Sequence, residues 1–273
     1  MKSHPVHIRE LAAWGLDDYE YRPPAPDPEK LRHATHLVAE REGFEQANVV
    51  LAAETEELSE ELAVQARRPD LLAEMAGLSW SLGVVDLRPL IAFQRRLSFH
   101  PEIPQSPMPA AQDWPALLAL AFGSAKPIEC ETTHNRSAQT LTVQSANPNL
   151  HFRITDNLAA PIAIHTGGPF FEVASFRGRW FLRDGYHRAF ALLNAGVFEI
   201  PAVIVFATTI EELGAAQPWF FSEDILLSQT PPCLVDFLDS DRVIEYGRPP
   251  LIKTLRITMQ ESLTLATPTG EQP

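Results

Sequence analysis

The residues best suited to chemistry form the run Asp-Gly-Tyr-His-Arg at positions 184–188, between an extended segment and a helical one. A helix start leaves four backbone N–H groups without intrahelical partners, and it carries the positive end of the helix dipole. Arg188 offers a planar fork of donors that can hold a phosphate through two hydrogen bonds, and His187 adds another donor. This spacing predicts an anion pocket, for a phosphate or a carboxylate, at the helix start.

The neighbouring residues would shape this pocket and supply its acids. We expect Asp184 to be the helix N-cap, where its carboxylate accepts from N–H groups two or three residues on. Gly185 permits a tight turn and a close approach of a ligand to the backbone. A reaction in the pocket would need a general base, and Glu172 and Asp184 are the nearest carboxylates in the sequence. The structural alternative is a capped helix whose first-turn arginine is simply solvated.

Short elements with clear boundaries must hold these residues in place. Two runs, 170–176 and 179–182, flank Arg-Gly at 177–178 and predict a β-hairpin. The helix that follows is rich in alanine and leucine, and it should end at Asn-Ala-Gly, residues 194–196. The apolar run 200–206 then predicts a buried strand. The chemistry-bearing residues are thus expected where the hairpin leads into the helix.

The run from Asp184 to Gly196, followed by Ile-Pro-Ala-Val-Ile-Val at 200–205, resembles the ParB/sulfiredoxin superfamily. In that superfamily a strand leads into a Gly-x-His-Arg box at a helix start, and a Val-Pro-hydrophobic strand follows. The resemblance covers roughly residues 169–206, including the strand pair before the box. It implies a box that binds nucleotide phosphates: CTP in partition proteins, ATP in sulfiredoxins, and a nucleotide in a free-serine kinase of the same fold.

By that resemblance, Gly185, His187 and Arg188 contact the phosphates of a bound ATP or CTP, which could carry Mg²⁺. An earlier segment, Asp-Leu-Arg-Pro at 86–89, is similar to the first conserved segment of the superfamily, where an arginine or a carboxylate faces the nucleotide. Arg88 would then be a second phosphate contact. The expected cofactor is therefore a nucleotide, ATP or CTP.

Departures from the superfamily pattern narrow the expected activity. Sulfiredoxins have a reactive cysteine directly before the His-Arg pair, whereas this chain has Tyr186 there, so we do not expect sulfinic-acid reduction. Partition proteins continue with a helix-turn-helix DNA reader, but the residues after Phe206 are acidic and interrupted by proline. Nuclease activity is not expected either, since the sequence shows no cluster of carboxylates with the character of a metal site.

Composition and charge restrict the partners. With 273 residues, 45% of them hydrophobic, the chain can form one large domain or two smaller ones around a substantial core. The net charge of −13 argues against a long nonspecific nucleic-acid surface, which needs clustered lysine and arginine. Residues 1–75 hold 16 acidic and 8 basic side chains, but residues 151–207 hold five arginines and four acids. That nearly neutral stretch suits a small anionic ligand, although acidic flanks can also serve solubility alone.

Cysteine usage and the lack of apolar segments predict a cytoplasmic protein. Cys130 and Cys233 are far apart and form no CxxC pair, which fits a reducing compartment and gives no zinc motif. The N-terminus lacks the apolar core of a signal peptide, and no apolar run approaches the roughly 20 residues of a membrane helix. The nine histidines do not have metal-ligand spacing, so we expect no metal site.

The expected architecture is an α+β fold, in which a helical N-terminal region packs on a small mixed β-sheet domain of ParB/sulfiredoxin type. Strong helix formers, as within 44–67, place the mainly helical region at residues 1–100. A proline-rich linker at 101–109 separates it from the ParB/sulfiredoxin-like domain at 110–260. The final residues, 261–273, should be a disordered tail.

These observations lead to three hypotheses about function. The leading one is binding of a nucleotide or a phosphorylated small molecule at 184–188, with phosphoryl transfer as the reaction that the site could support. The second is a non-catalytic module, in which a bound nucleotide controls association with a protein partner through the acidic N-terminal region and its amphipathic 44–67 stretch. The third, a DNA-associated ParB-like factor, is disfavoured by the net charge. No membrane partner is expected.

Overall fold

A computed structural model of the protein describes residues 5–23, 27–53, 55–100, 107–124, 127–154, 162–166 and 168–263. Strand residues make up 31% and helical residues 24%, so neither class dominates. The chain divides into two compact units. Unit 1 consists of Met1–Lys126 and Gly168–Pro250, and unit 2 consists of Pro127–Gly167 and Leu251–Pro273.

The strands of the described residues are β1 (Val6–Leu11), β2 (Val50–Leu51), β3 (Trp80–Asp86), β4 (Ile91–Ala92), β5 (Arg96–Phe99), β6 (Glu131–Asn135), β7 (Thr140–Ser145), β8 (His151–Ile154), β9 (Ile162–His165), β10 (Glu172–Phe176), β11 (Arg179–Asp184), β12 (Glu199–Phe206), β13 (Val243–Arg248) and β14 (Lys253–Thr258). The helices are α1 (Pro28–Ala39), α2 (Glu56–Gln65), α3 (Pro69–Glu74), α4 (Trp114–Ala121), α5 (Tyr186–Asn194), α6 (Ile210–Leu213) and α7 (Glu223–Leu226), with a 3-10 helix at Leu234–Leu238. Strands β6 to β9 and β14 belong to unit 2, and the other elements belong to unit 1.

Unit 1 is built on a six-stranded sheet in the order β2-β3-β12-β10-β11-β4. Strand β12 lies near its middle, parallel to β10 and antiparallel to β3. The residues from Ile200 to Val205 are all buried, because a central strand covered on both faces needs apolar residues at every position. The strand predicted at 200–206 is therefore confirmed.

The hairpin predicted around Arg177-Gly178 is also confirmed, and its strands are β10 and β11. Both turn residues have a positive φ, 48° for Arg177 and 76° for Gly178, as a tight two-residue hairpin turn requires. At the other end of the hairpin, Glu172 lies directly across from Asp184. The two candidate acids are therefore neighbours in the sheet.

Helix α5 connects β11 to β12. Its residues Ala189, Leu192 and Leu193 are buried in the same core as the central strands. The helix is closed by Gly196, which has a φ of 75°, and the N–H of Val197 donates to the carbonyl of Leu192 at 2.9 Å. This packing fixes the start of α5 beside the end of the hairpin that carries the two acids.

A second sheet of unit 1 has three antiparallel strands in the order β13-β1-β5. Alternate residues of β1, namely Val6, Ile8 and Glu10, are buried on one face. In this sheet Glu10 lies opposite Ile244 on one side and Arg96 on the other. The second sheet thus joins strands from the beginning, the middle and the end of unit 1.

The expected α+β fold with a helical N-terminal region is wrong, because the chain has a strand at residue 6 and further strands alternate with its helices. Within 44–67 the only helix among the described residues is α2, since Val50-Leu51 is extended and pairs with β3. Nor is the mixed sheet confined to a small later domain, because β2, β3 and β4 belong to the six-stranded sheet. The apolar alternation in residues 6–11 was the overlooked signal of a half-buried strand.

Unit 2 contains a three-stranded antiparallel sheet, β14-β7-β6, and the antiparallel pair β8-β9. Most of the linker predicted at 101–109 and most of the tail predicted at 261–273 lie outside the described residues. In the part of the chain that the structure describes, no helix has the length and apolar character needed to span a membrane.

Candidate anion site at the start of helix α5

Helix α5 begins one residue later than the sequence indicated. Its N-cap is Gly185, which lies in the left-handed region with φ 99° and ψ 20° and has no side chain to cap the helix. Asp184 is the last residue of β11, and its Oδ1 accepts from the N–H of Gly185 at 2.5 Å. The prediction of Asp184 as the N-cap is wrong, because the tight turn directs the carboxylate to the adjacent N–H and not to those farther along.

The first turn of α5 has the backbone donors that an anion requires. The first intrahelical hydrogen bond runs from the N–H of Ala189 to the carbonyl of Gly185 at 2.8 Å, and no side chain caps the helix. The N–H groups of Tyr186, His187 and Arg188 precede that bond, so the helix itself gives them no acceptor. They lie at the positive end of the helix dipole.

The presence of glycine at the N-cap position can be explained without a ligand. A Cβ atom on Gly185 would lie 2.6 Å from Cδ2 of Phe171, in a residue whose φ is already positive. The ring of Phe171 is fully buried, so close packing prevents it from moving aside. Packing and backbone conformation both require glycine here, and its role in admitting a ligand stays a prediction.

The guanidinium of Arg188 is used inside the protein. Its Nη1 donates to the carbonyls of Leu120 and Pro169 at 2.9 and 2.7 Å, and its Nη2 donates to the carbonyl of Phe170 at 2.7 Å. The carbonyl of Leu120 is one of the last in α4, so Arg188 satisfies a helix end. Burial lowers the pKa of Arg188, although the charge of Asp184 acts in the opposite direction. Arg188 is therefore a tether between α4, the segment before β10 and α5.

Of the three predicted ligand residues at the start of α5, His187 is the exposed one. Its Nε2 lies 2.9 Å from the carbonyl oxygen of Ser98 and 3.3 Å from the backbone nitrogen of the same residue. The imidazole meets Phe99 edge-on, with the ring centroids 5.5 Å apart. Protein atoms around the rest of the ring lower the pKa of His187, which favours the neutral form. His187 can therefore present a hydrogen-bonding group beside the first turn of the helix.

The two candidate acids lie side by side next to the helix start. Glu172 is 2% exposed and forms an ion pair with Arg183, whose Nε also donates to the carbonyl of Glu212 at 3.1 Å. Burial raises the pKa of Glu172 to about 7, against the opposing charge of Arg183. Burial also raises the pKa of Asp184, although the charge of Arg188 opposes this rise. The pair is suited to holding a proton near neutral pH.

Arg88 does not join this site. It is exposed, and its Nη2 forms an ion pair with Oδ2 of Asp86 at 2.7 Å. Asp86 lies opposite Glu199 at the start of β12, whereas Glu172 of the candidate site lies opposite Val203. The two levels are four residues of strand apart, which corresponds to roughly 13 Å. The structure therefore separates Arg88 from the other predicted ligand residues.

Tyr186, the residue before His187, belongs to the core. Its hydroxyl donates to the carbonyl of Leu182 at 2.9 Å and accepts from the N–H of Phe93 at 2.9 Å. Burial raises the pKa of this phenol. Tyr186 therefore links the end of β11 to the segment after β4 and presents no reactive group.

Sequence reasoning did not identify the residues of the second sheet that border His187. The ring of Phe99 lies close to two imidazoles, with centroid distances of 6.1 Å to His7 and 5.5 Å to His187. The guanidinium of Arg9 lies 5.7 Å from the ring centroid of Phe190 in α5. The period-2 pattern of β1 could have placed His7 and Arg9 on one face of a strand, but it does not indicate which helix they meet.

The arrangement offers backbone N–H groups and an imidazole, which suit the binding of an anion, beside a buried pair of acids that can hold a proton. In the described ranges of the chain, no group of three or more His, Cys, Asp and Glu side chains could hold a metal ion. No known protein family matches the chain, nor does any curated protein or solved structure.

Proposed function

We propose that this protein binds a nucleotide or another phosphate ester at the start of α5. The observation that carries the proposal is the uncapped first turn, where the N–H groups of residues 186–188 have no acceptor within the helix. The imidazole of His187 adds a donor, Nδ1–H, in the tautomer whose Nε2 accepts from the N–H of Ser98. The resemblance of residues 169–206 to nucleotide-binding ParB/sulfiredoxin proteins supports ATP or CTP as the ligand, with any Mg²⁺ carried by the phosphates.

The predicted ligand residues have different roles in this proposal. Backbone N–H groups and the imidazole of His187 bind the phosphate, while Gly185 and Arg188 hold the turn and the helix in position. The charge of Arg188 still favours an anion nearby, because a buried charge is weakly screened. Arg88 has no part in the site, since it lies at another level of the sheet.

Phosphoryl transfer is the reaction that such a site could support, because it depends mainly on positioning and on charge stabilisation. Asp184 adjoins the helix start, so it would act as the general base. Glu172 is buried and bound to Arg183, so it would act through Asp184 as a positioning residue.

Calorimetric titration with ATP, CTP and GTP, each with and without Mg²⁺, tests the proposal. We expect saturable binding of at least one nucleotide, and affinity about three- to tenfold weaker in His187→Ala, as for the loss of one hydrogen bond. His134→Ala, which changes an exposed histidine of unit 2, is the matched control and should bind as the wild type does. Absence of binding by all three nucleotides would contradict the proposal.

A groove at the edge of the six-stranded sheet favours a second function, the binding of a protein partner. The groove has a volume of about 390 Å³, and its walls come from α2, β2 and β3. Leu62 and Ala63 line it from the helix, Leu51 lines it from β2, and Leu82 and Val84 line it from β3. Most of its lining side chains are aliphatic, as in grooves that receive peptide segments.

The strands that border this groove present a free edge. Because β2 pairs with β3 only through Val50 and Leu51, no strand within the described residues pairs with residues 80–83 on that side. Four exposed acids of α2 add negative charge: Glu56, Glu57, Glu60 and Glu61. In the alternative function, a partner protein binds here through an extended segment with apolar and basic residues, which pairs with β3 as an additional strand. The bound nucleotide would control this association.

Fluorescence anisotropy with a short peptide that alternates valine and lysine tests this alternative, with and without nucleotide. Ala63→Arg places a cation inside the groove and should weaken peptide binding. Val64→Arg, on the same helix but outside the groove, is the matched control. Equal binding by both variants and the wild type, or no binding by the wild type, would rule the alternative out.

The proposal also includes a cellular compartment and excludes a DNA-associated role. We place the protein in the cytoplasm, because Cys130 and Cys233 are free thiols and fit a reducing compartment. A DNA-associated role is disfavoured by the net charge of −13. A gel-shift measurement with duplex DNA at low salt would detect such a role if it existed.

A further inference from the structure

The second sheet of unit 1 carries a buried arginine, Arg248, that no carboxylate of the described residues pairs with. It is 6% exposed and lies at the end of β13, opposite Val6. Its Nη1 donates to the carbonyl of Pro249 at 2.8 Å, whereas its buried Nε has no acceptor. A buried charged group without an acceptor is costly, so an acceptor from outside the protein would be favourable here.

The acids of the same charged cluster are already paired with other arginines. Glu10 accepts from Arg22 at 2.7 and 3.0 Å and from Arg96 at 3.0 Å. Asp17 accepts from Arg22 at 2.6 Å and also from Arg96. Arg22 and Arg96 therefore share these two carboxylates, and neither carboxylate binds Arg248. The charge of Arg95 also acts on Asp17, so arginines outnumber acids in this cluster.

Arg248 also lines a surface pocket of about 340 Å³. The other walls of this pocket are Pro5, Gly247, Pro249 and Pro250. Three proline rings make the walls apolar and stiff. The volume lies near the lower end for small-molecule sites. A fitting ligand is therefore small, largely apolar and negatively charged at one end.

We propose that this pocket binds a small organic carboxylate, whose oxygens accept from Nε and Nη2 of Arg248 while its apolar body packs against the prolines. The Nε–Nη2 edge of a guanidinium matches the two oxygens of a carboxylate. A phosphate dianion is a poorer match, since a single arginine leaves half of its charge unbalanced beside apolar walls. The pocket shares no residue with the start of α5 and does not depend on nucleotide binding there.

Benzoate is the probe, and the arginine Nε–H resonances of the full-length protein are the measurement. We expect benzoate to shift the Arg248 resonance saturably. Benzamide has the same apolar body without the charge, so it should bind about tenfold more weakly or not at all. Arg248→Gln should reduce benzoate affinity by about tenfold or more. Arg256→Gln, which changes an exposed arginine of unit 2, should bind as the wild type does.

Gly247→Leu keeps the proposal testable if Arg248→Gln fails to fold. A Cβ atom on Gly247 would lie 3.4 Å from the nearest atom, Cβ of Pro5, so the backbone tolerates a side chain that fills the pocket. Benzoate binding should be lost in this variant. The proposal is overturned by the absence of a saturable shift, by equal binding of benzamide, by tighter binding of inorganic phosphate, or by unchanged binding in Gly247→Leu.

Discussion

Two of the clusters of buried charge in unit 1 differ in balance, because arginines outnumber acids around Glu10 and acids outnumber arginines around Glu172. The Glu10 cluster consists of Glu10, Asp17, Arg22, Arg95, Arg96 and Arg248. The Glu172 cluster consists of Glu74, Glu172, Asp184, Arg183 and Arg188. The excess charge therefore has opposite signs at two places in the same unit.

This difference decides how each cluster handles protons. Burial alone would raise the pKa of Asp17, but the pKa is lowered because Arg96 and Arg22 donate to its carboxylate. Burial raises the pKa of Glu172 to about 7, and the negative charge of Asp184 adds to that rise. The arginine-rich cluster keeps Asp17 ionised and has a cation to spare, whereas the acid-rich cluster is able to store a proton.

Removal of the Glu10 charge should cause the largest loss of stability. In Glu10→Gln the guanidinium groups of Arg22 and Arg96 lose a buried counter-charge, so the free energy of unfolding should fall by about 3 to 5 kcal/mol. In Glu172→Gln the loss at neutral pH should be about 1 kcal/mol or less, because that carboxyl is already partly protonated. Urea unfolding of both variants measures the contrast, and equal losses would show that the clusters do not differ.

The titration of Glu172 should have the next largest effect. Its pKa is about 7 in the folded protein against an ordinary value of 4.5, so the folded state binds the proton more tightly. The resulting stabilisation is complete below pH 4.5 and is lost as the pH rises through about 7, with a total of up to about 3 kcal/mol.

Urea unfolding across this pH range should show the slope in the wild type and a flatter profile in Glu172→Gln. If the variant keeps the slope of the wild type, another group is responsible for it.

Replacement of Arg188 by methionine should have an intermediate effect. It deprives three carbonyls of a donor, so we expect a loss of about 2 kcal/mol in the free energy of unfolding. The pKa of Asp184 should rise further, because the charge of Arg188 opposes the rise that burial causes. Chemical denaturation and NMR titration of the carboxyl measure the two effects.

The matched control for this substitution is Arg177→Met, which removes an exposed arginine that pairs with Glu223. Its cost should be below about 1 kcal/mol. If the loss of unfolding free energy in Arg188→Met is no larger than in this control, the hydrogen bonds of Arg188 do not stabilise the contact between α4 and α5.

Replacement of Arg248 by methionine should have the smallest effect. Because Arg248 pairs with no acid, its removal leaves no carboxylate unbalanced, and stability should change by less than about 1 kcal/mol. Arg96→Met is the comparison within the same cluster, and it should cost about 3 kcal/mol or more, since Glu10 and Asp17 lose a partner. Urea unfolding measures both variants. Similar losses of unfolding free energy would show that an acid does balance the charge of Arg248.

The elements around the candidate site could be predicted because nearby residues specify them. Arg177-Gly178 sets the hairpin turn, Gly196 ends the helix, and the apolar run 200–206 marks a buried strand. The N-cap was misplaced by one residue, since the reach of the Asp184 carboxylate depends on the backbone angle of Gly185. Local sequence thus determines the elements better than it determines the geometry at their junctions.

The other errors have a different physical cause: the tertiary structure determines which strands pair and which side chains form ion pairs. Residues 1–100 contain many helix formers, which favour the prediction of a helical region. The strands that pair with β1 are distant in the sequence, so nearby residues do not indicate that pairing. Three arginines that look alike in the sequence have unlike environments: Arg188 donates to three carbonyls, Arg88 pairs with Asp86, and Arg248 pairs with no acid of the described residues. Residue type indicates a capacity to bind, and tertiary packing decides whether that capacity is already used.

The pairing of β1 with β13 has a consequence for the folding of the nascent chain. Val6 lies opposite Arg248, and the first segment of unit 2, Pro127–Gly167, lies between these two strands in the sequence. During synthesis β1 can pair only with β5 until the ribosome has released residues 243–248, and until then Glu10 lacks the hydroxyl of Tyr246. Such long-range pairing slows folding. A chain that stops before Val243 is therefore expected to remain a late intermediate with one edge of its second sheet open.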